Sequence, residues 1–377
     1  MQVAKKLREI PSIPVYSGDV ESQQSLLNYL LKAGKQAPSW YNSQPWELKA
    51  GENYIDVFLD PTADTSLYDW DNANSTMACG AVLHNIYIAA VARGLSPQIL
   101  KQPNASQPLW MGRVVLDFNQ VTESLNQHDL LLERSIWLRH TNTLLYKNDE
   151  LEKSQQQTLA NTLNNHPDTS LHFITSDIDK QRLFEAISLT EEIRFSRQDL
   201  HDYLHSMIRW TEKDEQLYKT GYTLPSMGIC GVGKFVFQAT KSWPIMRFLN
   251  RFGSAANLAK RASEGVTHCS AVGLITMSAS GDTDNDYLEA GQAMESVWLA
   301  ANKLGLDLHP FNTLLMFSFA LKQDPSLFSK SEGEKIEQTM QLVQGVYDSV
   351  NWERDEVAVF LFRIGKGEAV SGYSLRK

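Results

Sequence analysis

A chain of 377 residues, 42% hydrophobic and 10% aromatic, can bury one large core or two ordinary ones. Its net charge of −9 leaves no basic footprint and excludes nucleic acid as a partner. Three dispersed cysteines, Cys79, Cys230 and Cys269, exclude a disulfide framework and a zinc cluster and fit a reducing, cytoplasmic setting. Met1 to Pro14 lacks the apolar centre of a signal peptide. No uncharged apolar run reaches the roughly 18 residues needed to cross a bilayer, so no membrane partner is expected.

The first predicted helix covers 22–36, with Leu26, Leu27, Leu30 and Leu31 on one face. Pro38 to Trp46 is a rigid connector, because proline stops a helix and keeps the preceding residue extended. Tyr54 to Leu59 alternates as a strand, Asp71 to Gly94 repeats at helical spacing, and Gly112 to Phe118 is a second strand. After the polar stretch 119–128 come helices at 129–138 and 151–164, a strand at 170–175 and a helix from 178 to about 211. Segment 212–265 has no readable period; it holds six glycines around an apolar, partly basic stretch, Phe235 to Phe252. A strand at 269–277, helices at 283–304, near 314–322 and at 336–350, and a strand at 357–364 complete the pattern. Helices outnumber scattered strands without strict alternation, which predicts an α+β fold. No G-x-G-x-x-G follows a strand. Gly228 to Phe235 nearly spells a phosphate-binding loop, but Phe235 stands where Ser or Thr would hold magnesium. The histidines have no metal-ligand spacing, so no metal is expected.

Four segments carry candidate chemistry. Pro38, Ser39, Asn42 and Gln44 put neutral hydrogen-bonding groups on the first connector, which suits a flat heterocycle; the plainer alternative is a polar turn. Arg139 and Thr141 could clamp a phosphate, or mark a charged helix end. Asn312 and Thr313 lie in the connector after the helix 283–304. Arg376 and Lys377 form a basic tail, with Arg363 and Lys366 as competitors; such tails are usually solvated surface.

The order Pro-Ser-x-x-Asn-x-Gln-Pro-Trp at 38–46 resembles the flavin-contacting loop of the nitroreductase superfamily. Arg139 to Thr143 resembles that family's basic phosphate motif, although its last basic position is Thr143. Leu304 to Thr313 resembles the family segment beside flavin N5, and the basic tail resembles the pair that completes the phosphate site. In ordinary relatives the basic motif comes first and two subunits share each flavin. Here the loop precedes it by about a hundred residues. That layout resembles the long, single-chain Acg-type branch, as do Met77 to Asn85, Arg209 to Thr211, Gly221 and Leu224 to Gly228.

The resemblance implies a nitroreductase-like internal pseudo-dimer. Residues 1–125 would donate the loop, and 126–377 would carry the FMN cradle, with 212–265 as a possible lid. Pro38, Ser39, Asn42, Gln44, Arg139, Thr141, Asn312, Thr313, Arg376 and Lys377 are the implied FMN contacts; no catalytic acid or base is identifiable. NADH or NADPH would donate electrons in ping-pong fashion to a small-molecule acceptor, in a monomer or weak homodimer. The alternative is a protein that stores or sequesters FMN with little turnover.

Overall fold

The structure, a computed structural model, describes residues 10–122, 124–166, 168–229, 231–352, 356–370 and 373–377. Cys230 and the basic residues Lys5, Lys6 and Arg8 lie outside the described residues.

The first half opens with α1 (Val20–Gly34), followed by β1 (Trp46–Ala50), β2 (Tyr54–Leu59), α2 (Ala73–Val91), β3 (Gln98–Lys101) and β4 (Trp110–Val115). Then come α3 (Gln127–Leu138), α4 (Lys153–Asn161), β5 (Thr169–Ile174), α5 (Asp177–Ser196), α6 (Gln198–Ser206) and β6 (Ile208–Arg209). The segment without readable period folds into α7 (Glu212–Tyr218), β7 (Tyr222–Thr223), α8 (Val232–Ala239), α9 (Trp243–Asn250) and α10 (Ser254–Ser263). The chain ends with β8 (Ala271–Ser278), α11 (Thr283–Lys303), β9 (Asp307–Pro310), α12 (Thr313–Gln323), α13 (Lys330–Val346) and β10 (Glu356–Gly365). Among the described residues no helix is long and apolar enough to cross a membrane.

The α+β class expected from the pattern holds. Among the described residues the strands form two antiparallel four-stranded sheets, ordered β1-β2-β4-β3 and β5-β8-β10-β9, and a short parallel β6-β7 pair. The first sheet draws its strands from the first half of the chain, the second from the second half. A long apolar strand, β10, sits inside the second sheet, pairing Leu361 with Leu274 of β8 and Phe362 with Pro310 of β9. The predicted helix at 178–211 breaks at Arg197, whose extended backbone (φ −101°, ψ 135°) ends α5 and starts α6.

Helix α2 is apolar on nearly every side, which marks a helix buried all round. Its main partner is α11, and the two cross at Gly80 and Gly291. A Cβ on Gly80 would drive into the Leu288 carbonyl, and one on Gly291 into the Met77 carbonyl. Backbone cannot give way as a flexible side chain can, so Gly80→Ala and Gly291→Ala should each destabilise by about 1–3 kcal/mol or more. Gly345→Ala, at a helical position with open space around it, should stabilise by a few tenths of a kcal/mol up to about 1. Urea midpoints of the three variants check this ordering.

Candidate functional site

The connector after α1 is strained. Tyr41, Asn42 and Gln44 all have positive φ, 47°, 54° and 56°. Asn tolerates this region, but Tyr and Gln do so rarely, and such conformations persist only where the surroundings enforce them. Here the enforcement is visible. The Gln44 amide N–H donates to Ser39 Oγ at 3.0 Å, and its side-chain Nε2 donates to the Lys219 carbonyl at 2.7 Å. Gln44 Oε1 accepts from the Lys377 amide at 2.8 Å. Asn42 Nδ2 donates to the Leu375 carbonyl at 3.0 Å, and its Oδ1 accepts from Arg376. The connector is thereby stitched to the C-terminal tail and to the turn after α7, more than 170 residues away in sequence.

Behind this stitching lies a cavity of about 400 Å³, within the ordinary range for a cofactor-sized ligand. Eight of the ten residues singled out from the sequence line it: Pro38, Ser39, Asn42, Arg139, Thr141, Asn312, Thr313 and Arg376. Gln44 and Lys377 do not. Gln44 is buried behind the wall with its amide committed to Lys219 and Lys377, while Lys377 Nζ donates to the Ser43 carbonyl at 3.3 Å. Both would therefore act through the wall they hold. Of the competing basic residues, Arg363 is spent elsewhere. It is buried, donates to the carbonyls of Gly265 (3.1 Å) and Leu144 (2.7 Å), and stacks on Tyr146.

Arg139 follows α3 directly. Its Nη2 donates to the Gln36 carbonyl at 2.8 Å, its Nε lies 3.3 Å from Glu295 Oε1, and its guanidinium covers the Trp298 ring at 4.6 Å. Burial lowers its pKa and Glu295 opposes that shift. Arg376 donates to the same Gln36 carbonyl at 3.2 Å, so one carbonyl at the end of α1 orients two arginines from different parts of the chain. Asn312 precedes α12, but its side chain is tied to β10: Nδ2 donates to the Val359 carbonyl at 3.3 Å and Oδ1 accepts from the Leu361 amide at 3.1 Å. What α12 offers the cavity is its N-terminus, whose first N–H groups have no partner within the helix and favour negative charge.

Several lining residues were not among the ten expected contacts, although Tyr222, Ser226, Met227 and Arg261 fall in segments noted above for other reasons. Arg194, on α5, pairs with Glu191 at 2.7 Å; burial opposes its charge, but Glu191, Tyr41 and Tyr68 raise its pKa. Arg261 comes from α10, and Tyr222, Ser226 and Met227 come from the stretch between α7 and α8. Only a three-dimensional contact joins these to the cavity, and no spacing encodes it. Four arginines and one glutamate line the cavity, making it electropositive within an acidic chain. Burial raises the Tyr41 phenol and pushes Tyr222 up to about 12, so both are hydrogen-bond donors near neutral pH. His309 is held well below the usual range by burial, with Arg363 and Arg194 adding to it, and stays neutral. Met294, Trp298, Phe311 and Phe360 complete the apolar side. Such a box suits a flat aromatic ligand carrying an anionic group.

No family model matches the chain. It is 30% identical over 171 residues to the putative NAD(P)H nitroreductase Acg of Mycobacterium tuberculosis, covering 44% of this chain and 49% of that protein. It is 24% identical over 288 residues to an uncharacterised protein of the same organism, covering 76% of this chain but 39% of the relative. The chain thus spans less than half the length of these two curated relatives. A second uncharacterised M. tuberculosis protein is 22% identical over 277 residues, 72% of this chain and 73% of the relative. Among solved structures, a putative nitroreductase from Anabaena variabilis aligns over 96% of this chain and 90% of its own, at 11% identity and a TM-score of 0.44. The FMN-dependent nitroreductase NfnB from Mycobacterium smegmatis, in complex with NADPH, aligns over 64% and 90% at 10% identity and a TM-score of 0.34. The similarity to Acg bears out the resemblance read from the sequence.

Proposed function

We propose that the chain is an FMN-dependent oxidoreductase of the nitroreductase type, with one FMN held between its two halves. The observation that carries this reading is the convergence of residues 38–42, 139–141, 312–313 and 376 on one electropositive, part-aromatic cavity. The residues present fit the group. Arg376 and Arg261, with the Arg139–Glu295 pair behind them, offer charge to a phosphate. The apolar side accepts a ring system, and Ser39, Asn42 and the N-terminus of α12 offer hydrogen bonds to a polar ring edge. When bound, FMN would supply two-electron chemistry, taking hydride from NAD(P)H and passing electrons to a small organic acceptor.

The chain's own part is binding, orientation and exclusion of water. Trp298 and Arg139 are stacked and immobilised before any ligand arrives, so little ordering is needed on binding. Tyr222, Ser226, Met227, Arg261 and Ala262, all from the segment 212–265, form part of the cavity wall, in keeping with a lid. A lid that stays shut favours the second reading, in which FMN is stored with little turnover.

Anaerobic addition of NADH or NADPH to FMN-loaded protein separates the two readings. Loss of the visible flavin absorbance within seconds to minutes is the expected result. A spectrum that resists both nucleotides would overturn the oxidoreductase reading in favour of sequestration.

A further inference from the structure

Helices α8 and α9 have two unlike sides. Inward, Phe237 packs on His205 and Trp210, Trp243 packs on His201, Met246 is buried, and Asn250 Nδ2 donates to the Phe195 carbonyl at 2.9 Å. Outward, five large apolar side chains have no cover: Phe235 is 74% exposed, Val236 58%, Ile245 47%, Phe248 56%, and Phe252, just past α9, 72%. Phe248 and Phe252 pair edge-on at 5.2 Å. Scattered single exposed apolar residues are ordinary, but a run of them on two consecutive helices is not.

The charge around this face is equally one-sided. Residues 216–263 contain seven Lys and Arg and no Asp or Glu, in a chain whose net charge is −9. Lys234, Lys241, Arg247 and Arg251 are exposed on or beside the two helices. We propose that the α8–α9 pair is a docking surface for an anionic lipid bilayer, with the phenylalanines entering the headgroup boundary and the basic residues meeting lipid phosphate. Exposed Phe and Ile beside Lys and Arg on short amphipathic helices have the composition of an interfacial element. A second copy of the chain is a poorer occupant, because a two-fold contact would bring the same basic patch against itself. A soluble protein partner would leave the chain indifferent to vesicles, an outcome that the test below reads directly. The missing spanning helix, on which the expectation of no membrane partner rested, does not bear on a surface contact. The inference does not depend on the flavin reading.

Co-sedimentation of the full chain with vesicles tests it. The chain should pellet with phosphatidylcholine–phosphatidylglycerol vesicles at low salt, should not pellet with phosphatidylcholine alone, and should be released by salt. Phe235→Ser/Phe248→Ser/Phe252→Ser should lower partitioning by about tenfold or more, by removing apolar area from the contact. Lys241→Glu/Arg247→Glu/Arg251→Glu should lower it by about fivefold per residue. Circular dichroism identical to the parent protein shows that each variant is folded. Absence of vesicle binding by the folded parent would overturn the proposal, as would binding by both folded variants equal to the parent's. So would light scattering that shows a dimer which the phenylalanine variant converts to monomer.

Discussion

Asn42→Ala combined with Gln44→Ala should lower FMN affinity by about 10- to 100-fold without involving a subunit contact. One of the two residues does not face the cavity, so most of the loss comes through the wall. The two side chains make the bonds that fix the tail: to Leu375, to the Lys377 amide, and through Asn42 Oδ1 to Arg376. Each buried hydrogen bond of this kind contributes about 1 kcal/mol net, and their combined loss corresponds to the stated range. Alanine at φ 54° and 56° adds strain that Asn42, at least, avoids. Arg376 then keeps its bond to the Gln36 carbonyl but loses its Asn42 partner. A flavin-fluorescence titration measures the change. Unaltered affinity would show that neither loop nor tail contributes to binding.

Arg139→Ala has the larger expected effect on stability. Its partner Glu295 is fully buried, and removing one member of a buried ion pair costs about 3–5 kcal/mol, because the other charge stays desolvated. Replacing both partners by apolar residues, Arg139→Met with Glu295→Leu, should recover most of that loss, since packed hydrophobic side chains can match a buried pair. FMN binding should not recover. This separation is the informative part: a folded double variant that binds FMN as tightly as the parent would reduce Arg139 to a structural residue. Denaturant midpoints and the same titration give the two readouts.

These residues also mark how far the sequence could be read. Helix α11 was legible because its apolar stripe repeats over 21 residues, and β10 because its apolar run is long. Strands β3 and β9 were not, since four residues carry too little periodicity. The break at Arg197 has no proline or glycine to announce it. Segment 212–265 resisted reading for a physical reason: α7, α8 and α9 are only seven or eight residues long, too short for a repeat to establish itself. In the site, the resemblance supplied the residue types, whereas the partners of Gln44 and Arg139 lie 333 and 156 positions away and follow only from the fold. Asn312 lines the cavity as expected, and its side chain is tied to β10, a partner that only the fold supplies.

On the proposed reading, one chain alone builds a complete FMN site. Purified protein incubated with FMN and freed of excess should be examined by visible absorbance together with light scattering. The expected result is a yellow protein carrying one FMN per chain at the mass of a monomer. Protein that stays colourless after reconstitution, or that retains flavin only as a dimer, would contradict it.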